Sequence, residues 1–339
     1  MSARDRDGDA VRLHVVTGKG GTGKTTVAAS LALALAAGGR TVLLVEVEGR
    51  QGIARLFGTR PLPYEERAIA AAPEGGRVCA LAVDAESALL EYLEMFYGMR
   101  RAGQVLTRFG AVDFATTIAP GMRDVLLTGK ATEAVRRREG DRRRGGRDAG
   151  GRSHVYDAVV VDAPPTGRIA QFLNVNAEVA GLARVGPIRN HADKVMATLR
   201  STRTAVHFVT VLEEMPAQET LDGIGEIRAA GLNVGSLIIN MVRPPFFAEP
   251  VLREVAGGSF DTGALVRGVK AAGLEDAEET ARTLAQEVAE HAQRVAGESG
   301  IRARLDGLDR PRLELPLLSR GVGPEELDDL AERLREQGV

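Results

Sequence analysis

Runs of apolar residues, rich in β-branched side chains, alternate along this chain with stretches whose apolar positions follow the helical period. Strands that are hydrophobic at every position are covered on both faces, which is typical of parallel sheets with helices on either side. The pattern predicts an α/β fold with a mostly parallel, doubly wound sheet. Strands are predicted at residues 13–17, 41–47, 158–162, 205–211 and 234–240.

The predicted helices include 24–37 and 217–229, which end at glycines, and two near the C-terminus, 276–305 and 324–337. The last helix has one apolar face, but its polar face is mostly acidic. Anionic lipid would repel that face, so we expect the helix to pack on the core rather than to anchor the chain to a membrane.

Two segments interrupt the alternation of strands and helices. Residues 84–138 show a helical pattern without a convincing strand and are predicted to form a helical insertion sub-domain. Five of the 13 aromatic residues fall there, either as the insertion's own core or as a groove for a hydrophobic client: Tyr92, Phe96, Tyr97, Phe109 and Phe114. Residues 136–153 hold eight arginines and five glycines, which predicts a flexible solvated loop, with an acidic or nucleic-acid partner as the alternative.

Composition narrows the class of protein. The chain has 339 residues, 44% of them apolar, which is enough for one large domain spanning 11–339 after a disordered tail at 1–10. A net charge of −2 gives no global attraction to nucleic acid or anionic lipid. Cys79 is the only cysteine, so no intrachain disulfide, paired-cysteine zinc clamp or multi-thiolate arsenite site can form, and a cytoplasmic location fits. The first ten residues lack the apolar stretch of a signal peptide.

The segment GKGGTGKTT, residues 18–26, matches the phosphate-loop pattern between a predicted strand and a predicted helix. Its glycines let backbone N–H groups point at phosphate oxygens, Lys24 reaches the β and γ phosphates of ATP, and Thr25 binds Mg²⁺. The predicted nucleotide-binding residues are Gly20, Gly21, Thr22, Gly23, Lys24, Thr25 and Thr26.

The same letters also fit the dinucleotide-binding pattern G-x-G-x-x-G, with Glu46 or Glu48 as the acid that would bind a ribose. A dinucleotide enzyme has no need of the Lys24-Thr25 pair, which is aimed at a terminal phosphate and its metal. The apolar strand VVVD, residues 159–162, followed by a Pro-Pro-Thr-Gly turn, adds a Walker B acid and a switch segment. The two elements together favour a P-loop nucleotide triphosphatase.

Lys19 is a second lysine in the loop, and its side chain leaves the nucleotide's own cradle. The segment resembles the deviant Walker A motif, K-G-G-x-G-K-[ST], of dimeric ATPases that include MinD, ParA, ArsA and the guided-entry ATPases. In that class the first lysine reaches the nucleotide of the partner subunit. The resemblance therefore implies a dimer in which Lys19 acts in trans, with Lys24 and Glu48 as the other catalytic residues.

Further segments resemble the ArsA and guided-entry branch. DAPPTGRIAQFL, residues 162–173, is similar to its second switch, which implies that Asp162 binds Mg²⁺ through water. IINMV, residues 238–242, resembles the strand end whose asparagine contacts adenine, here Asn240, and LPLL, residues 315–318, resembles the late loop near the base, here Pro316.

The chain departs from this branch at the first switch, where an aspartate that positions water is replaced by Glu48. A carboxylate displaced by about 1 Å can lower the rate on the order of 100-fold, so we expect slow hydrolysis. The branch's metalloid and zinc cysteines are missing. The resemblance is closest to an actinobacterial ArsA-like branch that tends to pair unequal subunits, so a homodimer and a heterodimer both stay open. The alternatives are a weakly catalytic subunit of a hetero-oligomer and a positioning ATPase of the ParA or MinD type.

Overall fold

The centre of the molecule is an eight-stranded sheet. The computed structural model describes residues 10–84, 87–88, 122–139, 153–182, 187–244, 246–258 and 261–339. The strands are β1 Leu13–Gly18, β2 Thr41–Glu46, β3 Arg67–Ala72, β4 Gly76–Ala82, β5 Ala158–Asp162, β6 Thr204–Thr210, β7 Val234–Val242 and β8 Arg312–Pro316. The helices are α1 Lys24–Ala36, α2 Gly52–Leu56, α3 Met122–Arg136, α4 Thr166–Leu182, α5 Pro187–Leu199, α6 Glu214–Ala229, α7 Glu249–Ala256, α8 Thr262–Ala271, α9 Ala277–Asp306 and α10 Pro324–Glu336.

The strand order is β3-β4-β2-β5-β1-β6-β7-β8, and only the β3–β4 pair is antiparallel. All five predicted strands are present, and the predicted α/β class with a mostly parallel sheet is confirmed. The strands β3, β4 and β8 were not predicted. The first two lie in an alanine-rich segment that lacks a β-branched run, and they pair through a tight turn at Glu74 and Gly75, both with positive φ.

Each face of the sheet is covered by its own hydrophobic core. One core packs α1, α2 and α10 against the strands, and the other packs α3 to α6 against the opposite face. The apolar face of α10 is buried, as predicted: Leu327, Leu330, Ala331 and Leu334. Helix α1 is almost wholly buried because α10 covers the side that the sheet does not.

The segments flagged in the sequence are only partly described. The five aromatic residues of the predicted groove lie outside the described residues, whereas α3, at the end of the predicted insertion, packs against α4, α5 and β5. At the described ends of the arginine- and glycine-rich range, Arg138 pairs with His154 in an antiparallel bridge, and Arg137 is buried in an ion pair with Glu66. Within the part of the chain that is described, no helix combines the length and apolarity needed to cross a bilayer.

Candidate functional site

The phosphate loop, residues 18–23, joins β1 to α1. Strand β1 lies in the sheet between β5 and β6. Gly18 passes so close to β6 that an added Cβ would lie 2.1 Å from Val209 O. Gly23 has φ 83, a conformation that side chains rarely adopt, and an added Cβ would lie 2.4 Å from Asn240 Nδ2. Nothing lies within 4 Å of a Cβ added to Gly20 or Gly21, so that side of the loop is open to a ligand.

Hydrogen bonds hold the loop in this shape. Thr22 Oγ1 donates to Lys19 O at 2.8 Å, and Asn240 Nδ2 donates to Thr22 O at 2.9 Å. Thr17 Oγ1, just before the loop, donates to Pro164 O at 2.7 Å and so connects β1 to the segment after β5. The loop amides and the first turn of α1 thereby form a preorganised anion site at a helix N-terminus.

Thr25 and Asp162 meet beside this loop. Thr25 Oγ1 donates to Asp162 Oδ2 at 2.7 Å, although 137 positions separate them in the sequence. The parallel neighbours β1 and β5 end on the same edge of the sheet, which brings the first turn of α1 next to the end of β5. The structure thus brings together the two residues predicted to hold Mg²⁺, and their binding of the metal stays a prediction.

Burial raises the pKa of Asp162 to about 6, against the opposing effects of the Thr25 hydrogen bond and the Lys24 charge. The second oxygen, Asp162 Oδ1, is buried and has no hydrogen-bond partner among the described residues. A buried carboxylate with a spare oxygen, next to a threonine hydroxyl, is a set of hard oxygen donors that suits Mg²⁺. The residues present thus fit the expected metal.

The two glutamates after β2 have different environments. Glu46 is 2% exposed, and both of its oxygens accept backbone N–H groups, from Gln51 and Ile53, so this carboxylate holds the start of α2. Because those oxygens are committed, Glu46 does not offer the ribose contact of a dinucleotide enzyme. Glu48 is more exposed, and its Oε2 lies 3.7 Å from Arg50 Nε. Its negative charge also helps to raise the pKa of Asp162.

Lys19 is engaged within its own chain. Its Nζ lies 2.6 Å from Glu219 Oε1 on α6, and the side chains are 29% and 37% exposed. One turn further along α6, Gly223 packs so closely on Thr166 that an added Cβ would lie 2.3 Å from Thr166 Cγ2. Thr166 belongs to the Pro-Pro-Thr-Gly turn, so the helix that holds Lys19 also touches the second switch segment.

The predicted adenine contacts lie at neighbouring strand ends. Asn240 is buried against the loop, and Val242 on β7 pairs with Pro316 on β8, followed by the hydrogen bond from Leu317 N to Val242 O at 2.8 Å. Met241 between them has φ 57, a strained conformation for a methionine, and is 39% exposed. Met241 is thus an exposed apolar side chain next to Gly23 of the loop, and the contact of Asn240 and Pro316 with a base stays a prediction.

Sequence analysis missed two residues of this site, Glu219 and Met241. It also missed the role of Glu46 in capping α2. A sequence signal existed only for Glu46, which stands at the end of a strand shortly before a glycine-rich turn. Neither the pairing of Glu219 with a lysine 200 positions away nor the positive φ of Met241 has a local signature.

A family model described as anion-transporting ATPase matches residues 11–202, which is more than half of the chain. The chain is also 51% identical over 329 residues to the ATPase BagA of Mycobacterium tuberculosis, with 97% of this chain and 94% of that protein covered. The chain belongs to the ArsA family of ATPases. The resemblance drawn from the loop and switch motifs is thus confirmed.

More distant members of the ArsA family match over shorter lengths. The ATPase get3 of Schizosaccharomyces japonicus is 27% identical over 191 residues, covering 54% of this chain and 52% of that protein. The arsenical pump-driving ATPase of Escherichia coli is 26% identical over 247 residues, covering 67% of this chain and 39% of that protein. With these contacts, the loop amides offer donors to phosphate oxygens, Thr25 and Asp162 offer oxygen donors to a metal, and the Glu48 side chain is 25% exposed to solvent.

Proposed function

We propose that this chain is a Mg-ATP-dependent ATPase that works as a dimeric switch and couples its nucleotide state to a hydrophobic peptide or partner protein. The observation that carries the ATPase part is the contact of Thr25 with Asp162 beside the phosphate loop, with Asp162 Oδ1 buried and unpartnered. Membership of the ArsA family supports the same chemistry.

Binding uses the loop and α1. The loop amides and Lys24 hold the β and γ phosphates, and the Lys24 charge opposes the rise in the pKa of Asp162. Thr25 directly, and Asp162 through water, would hold Mg²⁺, which when bound neutralises charge on the phosphate oxygens. Asn240 and Pro316 flank the adenine in this proposal.

Lys19 supplies transition-state charge to the nucleotide of a partner subunit, which is a copy of this chain or a related ArsA-type ATPase. A cation supplied in trans accelerates phosphoryl transfer by about 10³ to 10⁵. In the isolated chain the Lys19 ammonium pairs with Glu219, so the carboxylate partly neutralises its charge until a partner subunit binds.

Glu48 positions the attacking water. Its side chain is longer by one methylene than the aspartate expected at this point, and its pairing with the exposed Arg50 competes for the carboxylate. We therefore expect slow hydrolysis by the isolated chain. The same observation favours a second candidate function, in which the chain is a weakly catalytic ATP-binding subunit that lends Lys19 to a more active relative.

The decisive experiment compares three variants at saturating ATP. Lys19→Ala should keep ATP affinity within a few-fold, because Lys24 and the loop amides remain, and should lose activated hydrolysis and nucleotide-dependent dimer closure. Lys24→Ala should lose ATP binding. Lys194→Ala, which removes an exposed lysine on α5, serves as the matched control and should behave like the unmodified chain.

A mixture of the Lys19→Ala and Lys24→Ala chains separates action in trans from action in cis. If the lysine acts across a homodimer, the Lys24→Ala subunit lends its Lys19 to the nucleotide of the other subunit, and activity returns. Equal hydrolysis by Lys19→Ala and the unmodified chain, with the partner present, would refute the trans role. Appreciable hydrolysis by this chain alone, lost in Glu48→Gln, would eliminate the second candidate.

A further inference from the structure

The first turn of helix α3 contacts both of the segments that are predicted to act as switches. Arg123 Nη2 donates to Val47 O at 3.3 Å, and Val47 stands directly before Glu48. The next residue of the helix, Asp124, contacts the second switch segment, since its Oδ2 lies 3.7 Å from Arg168 Nη2. Consecutive residues of one helix therefore reach the segment after β2 and the segment after β5.

The bond from Arg123 fixes one end of the turn that carries Glu48. Val47 is 1% exposed, so its carbonyl is shielded from water, and a hydrogen bond from a charged guanidinium is stronger than one between neutral groups. Glu46 fixes the other end, because its carboxylate accepts two backbone N–H groups at the start of α2. Glu48 thus lies between two anchored points, one supplied locally and one supplied by a residue 76 positions after Val47.

Helix α3 is held in place by buried contacts. Thr128 Oγ1, one turn along the helix, donates to Asp124 O at 2.7 Å and accepts Asn176 Nδ2 of α4 at 2.7 Å. Thr128 and Asn176 are both buried, so breaking these bonds would leave polar groups without partners in the interior. The helix also packs against α5 and β5. Arg123 is therefore presented to Val47 from a helix that its neighbours keep in position.

The Asp124 carboxylate joins the two arginines in one cluster of charges. Its side chain is 12% exposed, against 57% for Arg168. Burial raises the pKa of Asp124, and the positive charges of Arg168 and Arg123 oppose that rise. The arginine that holds Val47 and the arginine of the second switch segment thus both interact with the same carboxylate.

We propose that Arg123 is a positioning residue that holds Glu48 in the place where it orients the attacking water. The inference rests on the proposed function, in which Glu48 serves that water. Arg123 acts through the backbone carbonyl of Val47 and does not itself contact the nucleotide. A shift of about 1 Å in a reacting group can lower a rate on the order of 100-fold, so one bond beside Glu48 is enough to change activity.

Two substitutions at Arg123 test this role. Arg123→Gln removes the charge and shortens the side chain, so the bond to Val47 O is lost, whereas Arg123→Lys keeps a charged donor. We expect kcat at saturating Mg-ATP to fall about tenfold in Arg123→Gln, with the KM for ATP unchanged, and to recover in part in Arg123→Lys. The matched control is Arg310→Gln, which removes a bond of the same kind to Val234 O, 3.0 Å long, at the start of β7, and should leave kcat unchanged.

A double-mutant cycle tests whether Arg123 acts through Glu48. In the Glu48→Gln background, Arg123→Gln should lower the remaining rate by less than about twofold, because the carboxylate that Arg123 positions is already gone. The same tenfold loss in both backgrounds would overturn the proposal. It would also be overturned by an unchanged kcat in Arg123→Gln, or by a KM that rises while kcat stays the same.

Hydrogen exchange tests the same contact without hydrolysis. The amides of Gln51 and Ile53 are bonded to the Glu46 carboxylate, and we expect them to exchange about threefold faster or more in Arg123→Gln and at an unchanged rate in the control. Equal exchange in the two variants would overturn the proposal. If the unmodified chain binds Mg-ATP but does not hydrolyse it, the proposed function fails, while this measurement still decides whether Arg123 holds the turn that carries Glu48.

Discussion

The ion pair between Lys19 and Glu219 yields a quantitative prediction about activity. Its Nζ to Oε1 distance is 2.6 Å, but about a third of each side chain is exposed, so solvent screens the attraction. Pairs of this kind contribute about 0.2–1 kcal/mol. Removing that preference shifts the ratio of free to paired Lys19 by a factor of roughly 1.4 to 5.

The perturbation is Glu219→Gln, which removes the charge and keeps the shape of the side chain on α6. If Lys19 must leave Glu219 to reach a partner's nucleotide, steady-state hydrolysis at low salt should rise by up to about fivefold, with the KM for ATP unchanged. The increase should shrink at high salt, because the pair is already weakened there. Glu226→Gln, an exposed acid on the same helix, is the control and should leave the rate unchanged.

Two results would refute this reasoning. A rate that falls toward that of Lys19→Ala would mean that Glu219 positions the lysine for the reaction instead of holding it back. An unchanged rate at low salt would mean that release from Glu219 does not limit the step that Lys19 serves. Native mass with a trapped ATP analogue, measured on the same samples, distinguishes a change in dimer closure from a change in chemistry.

Two further predictions concern buried groups. Asp162→Asn should abolish Mg²⁺-dependent ATP binding in calorimetry. It should also stabilise the free chain at pH 7.5 by about 1–3 kcal/mol, because the pKa of Asp162, raised to about 6, means that burying the charged carboxylate opposes folding. A destabilised variant would contradict this. His14 Nδ1 lies 3.1 Å from His207 Nε2, and burial lowers the pKa values of the two histidines from 6.5 to about 4 and about 3. The unfolded histidines bind protons at pH 5 and the folded ones do not, so the free energy of unfolding should fall by about 4 kcal/mol in total from pH 7.5 to 5. Denaturant titrations should show a smaller fall in His14→Gln with His207→Gln and the full fall in His291→Gln.

Local patterns were sufficient to predict the central strands and the phosphate loop. The central strands are buried on both faces, so their sequences are continuously apolar, and the loop's glycines and Lys24-Thr25 pair have a fixed spacing. Thr25 and Asp162 were both predicted as Mg²⁺ residues, and their contact is explained by the topology, since parallel neighbours end on one edge of the sheet. Such features depend on residues close in sequence or on a general rule of parallel sheets.

Contacts between distant segments could not be predicted in this way. Glu219 stands on an amphipathic helix among other acids, and only the packing of α6 beside β1 brings it to Lys19. Arg12, Arg40 and Arg203 each stand before a different strand, and no local pattern in the sequence indicates that they meet at one edge of the sheet. Their proximity results from the strand order, which cannot be derived from a single sequence.

Helix α6 connects the two features that distinguish this chain from a simple phosphate-binding fold. Its Glu219 pairs with Lys19, and its Gly223 packs closely against the Thr166 methyl of the second switch segment. Thr17, at the end of β1, is hydrogen-bonded to Pro164 in that same segment. If nucleotide binding displaces the switch segment, the close contact of Thr166 with Gly223 would move α6 as well. Gly223 lies one helical turn from Glu219, whose carboxylate pairs with Lys19. Because the pair itself is weak and solvent-screened, in the proposed dimeric mechanism a small shift of α6 would be sufficient to release the lysine toward a facing subunit.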